Sequence, residues 1–80
     1  MGATIRDQLV DIVTDELGCS AAQVTDDATM EQLGVDSLDV VGITMRAEDA
    51  CRIEILDDEG DAVRTFGDLV ALVERKRGAA

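Results

Sequence analysis

The sequence contains no histidine, proline, tryptophan or tyrosine, and Phe66 is its only aromatic residue. Because histidine is absent, a Ser-His-Asp triad cannot form, and a zinc site would have too few soft ligands. No run of residues approaches the roughly 20 apolar residues that a membrane-spanning helix requires. The sequence thus argues against histidine-dependent hydrolysis, a zinc site and a membrane span.

Basic residues are also few, 7 against 18 acidic ones, and the net charge is −11. Such a charge would repel nucleic acid. The expected protein partners carry basic patches, and their association should be steered by charge and weakened by salt. Solubility alone is the simpler alternative explanation of the charge.

The two cysteines, Cys19 and Cys51, lie far apart and belong to no CxxC pair. An acidic residue, Asp7, interrupts the N-terminal segment early, which is atypical of a secretory signal peptide. We therefore expect a cytoplasmic protein with reduced thiols, with a single disulfide as the open alternative. No histidine or lysine adjoins either cysteine, so both are predicted to be inert.

The 80 residues, 46% of them hydrophobic, are enough for a single domain with one hydrophobic core. Thr4 and Asp7 form a capping-box pattern, and Gly18 suits the residue that follows a helix. Apolar residues recur between them at helical spacing: Ile5, Leu9, Ile12, Val13 and Leu17. The first helix is therefore predicted from about Thr4 to Leu17.

A long connection follows over residues 18–36, and such segments often contain a functional loop or a short helical turn. Asp26 and Asp27 are typical of a turn. Four apolar residues are expected to fasten the connection to the core: Val24, Ala28, Met30 and Leu33.

The second helix is predicted from Asp36 or Ser37 to about Cys51. One stripe at helical spacing is predicted to be buried: Val40, Ile43, Thr44, Ala47 and Cys51. Another apolar strip, Leu38, Val41 and Met45, lies among acidic residues. We expect Val41 to lie in the core, and Leu38 and Met45 to serve in docking.

The remaining sequence predicts two further helices. Residues 57–62 fit one short helical turn, and a capping-box pattern of Thr65 and Asp68 opens the last helix. Its apolar face and its basic end consist of Phe66, Leu69, Val70 and Val73, and of Arg75, Lys76 and Arg77. The predicted fold is an all-α, small four-helix bundle of three main helices plus one short helix, with a long loop between the first and second helices.

Two local patterns suggest a site. The acidic stretch Asp57–Asp61 suggests calcium, but an EF-hand loop with Gly60 at its sixth position would begin at Ile55, which has no side-chain oxygen. A solvated acidic turn is the better interpretation. Ser37 could be a simple N-cap of the second helix, a role that Asp36 would serve as well.

The stretch LGVDSLD, Leu33 to Asp39, resembles the modification site of acyl carrier proteins. Asp-Ser-Leu follows a glycine turn at the start of an acidic second helix, as it does in that family. The stretches DELG, VTDDATMEQLGVDSLD and TFGDLVALVE extend the resemblance, without evident gaps, over about residues 4 to 75.

The resemblance implies a carrier and not an enzyme. A separate phosphopantetheinyl transferase would move 4′-phosphopantetheine from coenzyme A onto Ser37. This phosphopantetheine arm would hold acyl intermediates of fatty-acid, polyketide or related biosynthesis as thioesters. Further partners would be loading ligases or synthase enzymes with basic patches. The carrier itself would be a monomer. The partner-binding residues that the resemblance implies are Asp36, Leu38, Asp39, Val41, Gly42, Met45, Arg46, Glu48 and Asp49.

The chain departs from the fatty-acid carriers at several positions. Gly42 stands where an acid is usual, and Arg46 adds a positive charge to the same helix face. Ala47 and Cys51 stand where larger residues are usual, and Leu56 replaces a common proline. We therefore expect fatty-acid synthase enzymes, which would bind through basic patches, to use this chain poorly.

Two alternatives stay open beside an acyl carrier. One is a specialised carrier that a dedicated ligase loads with an amino acid, although Gly34 and Val35 favour the acyl type over the Gly-Gly of peptidyl carriers. The other is an acidic helical interaction protein in which Ser37 is only a cap.

We predict that added salt raises the melting temperature of the protein at neutral pH. Because the net charge is −11, the acidic side chains repel one another in the compact state, and salt screens that repulsion. Thermal melting in rising sodium chloride measures the effect, and near the sequence pI of about 4.1 the gain should be small. A melting temperature that falls with salt at neutral pH would contradict this explanation.

Overall fold

The computed structural model describes residues 4–78, which form a bundle of helices. Its elements are α1 (Ile5–Leu17), a 3-10 turn (Ala21–Gln23), α2 (Ser37–Cys51), α3 (Asp57–Asp61) and α4 (Phe66–Gly78). The described residues contain no strand beyond an isolated bridge between Thr29 and Thr65, and none of their helices has the length and apolar character to cross a bilayer. The predicted all-α bundle of three main helices and one short helix is confirmed.

Side-chain caps set the helix boundaries that the sequence predicts. The Asp7 N–H donates to Thr4 Oγ1 at 3.1 Å, and the Thr4 N–H donates to the Asp7 carboxylate at 3.5 Å. Thr65 and Asp68 form the same reciprocal pair ahead of α4, at 3.1 and 3.2 Å. Each pair satisfies backbone N–H groups that the first turn of a helix leaves without a partner.

The core is aliphatic and surrounds one aromatic ring. Phe66 of α4 is fully buried, as are Val73 of the same helix and Leu9 and Val13 of α1. α1 packs against both α2 and α4. Burial of one such side chain stabilises a fold by about 1.5–3 kcal/mol, so this cluster is the main force that holds the long helices together.

The apolar stripe of α2 is only partly buried. Ile43, Ala47 and Cys51 are buried as predicted, but Val40 is 39% exposed and Thr44 is half-buried. The prediction of full burial is therefore wrong for Val40 and Thr44. Both side chains line a cavity between α2, α3 and α4, which leaves part of their surface without packing partners.

The connection between α1 and α2 is fastened to the start of α4. The Phe66 N–H donates to Ala28 O at 3.0 Å, and the Gly67 N–H donates to Asp26 O at 2.9 Å. Arg6 of α1 pairs with the Asp26 carboxylate and lies over the Phe66 ring, 5.7 Å from its centre. The apolar residues expected to hold this connection are indeed buried or half-buried: Val24, Ala28, Met30 and Leu33.

The short helix α3 is held by polar contacts, since none of its residues is buried. Glu59 accepts a hydrogen bond from Lys76 Nζ of α4 at 2.5 Å and from the Leu56 N–H at 3.0 Å. Glu48 of α2 accepts from the Ile55 N–H, just ahead of α3, at 2.9 Å. These contacts fix α3 against the side of the bundle formed by α2 and α4.

The basic end of α4 ties that helix to two others. Arg77 donates to the backbone carbonyl of Cys51, the last residue of α2, at 3.0 Å. Arg75 and Lys76 approach the Glu59 carboxylate of α3 at 3.8 and 2.5 Å. The sequence predicts only that these charges favour the negative end of their own helix, and the structure adds a tertiary role.

We predict that Glu59→Gln lowers the melting temperature at neutral pH and that the difference disappears in acid. The hydrogen bond from Lys76, followed by that from the Leu56 N–H, holds the pKa of Glu59 below its usual value. A lowered pKa in the folded state gives stability that is present above the unfolded pKa and is lost as the pH falls through the folded pKa. Glutamine keeps an oxygen for Leu56 but removes the charge that faces Lys76.

Glu74→Gln is the matched control for this change. Glu74 lies on α4, is exposed and forms no ion pair within residues 4–78. Thermal melting should be followed from neutral pH to below about 4.3, the ordinary pKa of glutamate. Equal losses for the two variants would show that the Glu59 charge has no specific role.

Candidate functional site

A tight turn leads the chain into α2. The Val35 N–H donates to Met30 O, and the Gly34 N–H donates to Glu31 O, both at 3.0 Å. Gly34 has a φ of 77°, in the left-handed region that residues with a side chain disfavour. The glycine of LGVDSLD therefore makes the turn that precedes the helix.

Asp36 caps α2, which leaves Ser37 free of that role. The Asp39 N–H donates to Asp36 Oδ1 at 2.9 Å, and the Asp36 N–H donates to Asp39 Oδ2 at 3.2 Å. Ser37 is the first residue of the helix and is exposed. The alternative in which Ser37 is the cap is wrong, because the preceding aspartate already occupies the capping position.

The chain has no histidine that could act as a base for Ser37. The first backbone hydrogen bond of the helix is donated by the Val40 N–H to Asp36 O at 3.0 Å. The N–H groups of Ser37 and Leu38 lie ahead of this bond. Such N–H groups suit a phosphate attached nearby. An enzyme that brings its own base could therefore place a phosphate-containing group on this hydroxyl.

The other candidate sites do not assemble. The acidic stretch forms α3, and between residues 4 and 78 no three His, Cys, Asp or Glu side chains are grouped so that they could hold a metal ion. Cys19 and Cys51 are free thiols. Burial raises the pKa of the Cys51 thiol, which makes it a poor nucleophile at neutral pH.

A family model described as the phosphopantetheine attachment site matches residues 7–73, which include the turn and the whole of α2. The chain belongs to this family. It is a carrier protein whose cofactor is covalently attached 4′-phosphopantetheine, and domains of the family carry groups without catalysing their reactions. The resemblance inferred from LGVDSLD is thereby confirmed.

The carrier exposes an apolar strip along α2. Leu38, Val41 and Met45 are 82%, 54% and 63% exposed. The expectation that Val41 lies in the core is wrong, because within residues 4–78 more than half of its surface remains exposed. The acidic residues of α2 and of its N-cap are Asp36, Asp39, Glu48 and Asp49. Partner docking on these residues stays a prediction.

Three of these acids also have contacts within the carrier. Asp36 and Asp39 form the cap pair, and Glu48 accepts the Ile55 N–H at 2.9 Å. Asp49, by contrast, is exposed. The sequence patterns did not reveal the role of Glu48, because its partner lies beyond the end of α2 in a segment without periodicity.

Gly42 and Arg46 lie against α1. Arg46 Nη1 donates to Asp15 Oδ2 at 2.7 Å and to Glu16 Oε1 at 3.2 Å. A β-carbon on Gly42 would lie 2.9 Å from Glu16 Oε2, closer than ordinary contact. Two carboxylates of α1 therefore pair with the positive charge that the sequence places on this face of α2.

The positive charge of Arg46 offsets an unfavourable charge arrangement in α1. Asp15 and Glu16 lie near the end of α1, whose last turn contains no basic residue, and the negative end of a helix dipole disfavours further negative charge. Hydrogen bonds to Asp15 and then Glu16 raise the pKa of the Arg46 guanidinium. Arg46 therefore stabilises the packing of α1 on α2.

A cavity of about 230 Å³ lies between α2, α3 and α4. Its apolar walls include Val40 and Ile43 of α2 and Leu69 and Leu72 of α4, and Gly60 of α3 borders it. An apolar cavity of about 150 Å³ holds benzene, so this one has room for a small apolar group. No periodicity in the sequence marks the cavity, because it forms where three helices meet incompletely.

We predict that Arg46→Ala lowers the melting temperature of the carrier, most strongly at low salt. The change leaves Asp15 and Glu16 without their shared partner at the negative end of α1. Arg64→Ala is the matched control, because Arg64 is exposed and forms no ion pair within the described part of the chain. Thermal melting at two salt concentrations compares the variants.

The double variant Gly42→Glu with Arg46→Ala should melt lower still. It places a further carboxylate against Glu16 while it removes the neutralising guanidinium. If this double variant were as stable as the unmodified carrier, the contact between this face of α2 and α1 would be refuted.

Proposed function

We propose that the protein is an acyl carrier protein with its 4′-phosphopantetheine on Ser37, and that it passes thioester-bound acyl intermediates between enzymes of fatty-acid, polyketide or related biosynthesis. The observation that supports Ser37 is the cap made by Asp36, which leaves the first residue of α2 exposed with its hydroxyl available. A separate phosphopantetheinyl transferase would transfer the group from coenzyme A.

The residues at the start of α2 fit this group. The Ser37 hydroxyl offers the oxygen for a phosphodiester, and the adjacent N–H groups of Ser37 and Leu38 suit the phosphate. The carboxylates of Asp36 and Asp39 are each engaged by the other's backbone N–H. When attached, the group supplies a terminal thiol that holds the cargo as a thioester.

The exposed strip of Leu38, Val41 and Met45 supports docking of partner enzymes with basic patches. Exposed apolar residues rimmed by polar ones are typical of protein interaction sites. The net charge of −11 would steer a basic partner toward the carrier. Because the strip begins one residue after Ser37, a partner bound there would be close to the attachment point of the arm.

The cavity supports carriage of a cargo. Val35 and Val40 on either side of Ser37 both line it. Val40 lies about 4.5 Å from Ser37 along the helix axis, at the usual rise per residue. An apolar group on the arm gains about 0.8 kcal/mol for each methylene that it removes from water, so entry into this cavity would shield the cargo from solvent.

We predict that Ser37→Ala abolishes attachment of phosphopantetheine and leaves the fold intact. Asp36 retains the cap, so the free energy of unfolding should change by no more than about 0.5 kcal/mol. Intact mass after incubation with coenzyme A and a phosphopantetheinyl transferase measures attachment, and thermal melting measures the fold.

Ser20→Ala is the matched control, because Ser20 is the other serine of the chain and precedes the 3-10 turn far from α2 in sequence. This variant should gain one phosphopantetheine, as the unmodified protein does. Attachment of phosphopantetheine to the Ser37→Ala variant, or its absence from the unmodified protein, would refute the assignment of Ser37 as the attachment site. Release and mass analysis of the thioester cargo from cell-derived protein would distinguish an acyl from an aminoacyl carrier.

A further inference from the structure

The cavity between α2, α3 and α4 is apolar except at two side chains. These are Thr44 of α2 and Asp61 of α3. Both of them also line a neighbouring groove on the surface between α2 and α3. Thr44 and Asp61 therefore lie where the cavity and the groove meet, at the place where a cargo would enter.

Thr44 offers an acceptor at this entrance. Its hydroxyl already donates to Val40 O, one turn earlier in α2, at 2.7 Å. A hydroxyl has one donor and two acceptor lone pairs, so its donor is used while its oxygen can still accept a hydrogen bond.

Asp61 offers acceptors as well. It is exposed, and no basic side chain among residues 4–78 forms an ion pair with it. An ionised carboxylate accepts hydrogen bonds and donates none. The two polar side chains at the entrance therefore present acceptors to whatever enters.

We propose that Thr44 and Asp61 select a short acyl cargo that bears a hydrogen-bond donor, either a hydroxyl or a protonated amine. This inference rests on the proposed carriage of cargo by Ser37. A purely apolar chain would displace water from the Thr44 oxygen without replacing its hydrogen bond, which is unfavourable. A donor on the cargo restores that bond, and a positive charge on the donor is further favoured by Asp61.

The volume of the cavity limits the length of the cargo. The cavity of about 230 Å³ is only moderately larger than one that holds benzene. This volume suits a chain of a few carbons and excludes a long fatty acyl chain from full burial.

A simpler explanation assigns neither residue a role in selection. A threonine inside a helix commonly bonds to the carbonyl four residues earlier, and an exposed aspartate is commonly solvated. On that explanation the carrier would protect cargoes of equal length equally, whatever their substituent. The two explanations thus differ in a measurable quantity.

Three cargoes of equal chain length provide the test: butyryl, β-hydroxybutyryl and β-aminobutyryl groups. Each is loaded from its coenzyme A thioester by a transferase that accepts acylated coenzyme A. The hydrolysis rate of the free coenzyme A thioester, divided by that of the loaded carrier, gives a protection factor that removes the intrinsic reactivity of the cargo. We expect the donor-bearing cargoes to be protected roughly fivefold more than butyryl, the size of one net hydrogen bond.

Two variants assign the effect to its residues. Thr44→Val removes the acceptor at nearly constant volume and should abolish the extra protection of the hydroxyl cargo. Asp61→Asn removes the charge and should reduce the protection of the amine cargo more than that of the hydroxyl cargo. Asp58→Asn is the matched control, because Asp58 lies in the same short helix outside the lining of the cavity, and it should leave all three factors unchanged.

Equal protection of the three cargoes on the unmodified carrier would overturn the inference, as would extra protection of the hydroxyl cargo that survives Thr44→Val. Backbone amide chemical shifts of Thr44 and Asp61 give a second readout that needs no variant. They should move more with the donor-bearing cargoes than with butyryl, and identical shifts for all three would also overturn it. Absence of any mass gain at Ser37 would instead refute the proposed function, so the two failures are distinguishable.

Discussion

The reciprocal cap between Asp36 and Asp39 decides what the start of α2 can do. The two carboxylates satisfy backbone N–H groups on both sides of Ser37, so the helix begins without help from the serine hydroxyl. Had the serine made the cap, its oxygen would be bound to an N–H of its own first turn. The turn at Gly34 and the cap at Asp36 together leave the Ser37 hydroxyl exposed, which suits the proposed transfer by an external enzyme.

Several of the few basic residues join one element of the fold to another. Arg6 joins α1 to the loop at Asp26, Arg46 joins α2 to α1, and Lys76 joins α4 to α3. Exposed ion pairs are individually weak, so these contacts orient helices that the buried core already holds together. The acids that remain unpaired then set the field that a partner meets. One set of charges thus serves the fold, and the unpaired acids are available for the proposed recognition of partners.

Local patterns in the sequence predicted the helix boundaries, because caps such as Thr4 with Asp7 act within one turn. The packing around α3 could not be predicted, because it depends on contacts between residues distant in sequence, such as Glu59 with Lys76. That packing leaves the cavity open and Val40 and Thr44 incompletely buried, and it falls outside any periodic pattern. Resemblance singled out Ser37 as the modification site, but Asp36 and Ser37 are equally good caps by residue type. Only the geometry distinguishes the two.

The cavity persists because α3 contributes little packing to the bundle. None of its residues is buried, and a β-carbon on Gly60 would approach only Ile55, at 3.9 Å, so the chain leaves space that a larger residue could fill. Unfilled apolar volume lowers stability, and this cost is reversible if a cargo occupies the space. A group that binds only to the folded state stabilises that state. A cargo that entered this cavity, as proposed, would therefore stabilise the folded carrier, and the stability of the carrier would then depend on its load.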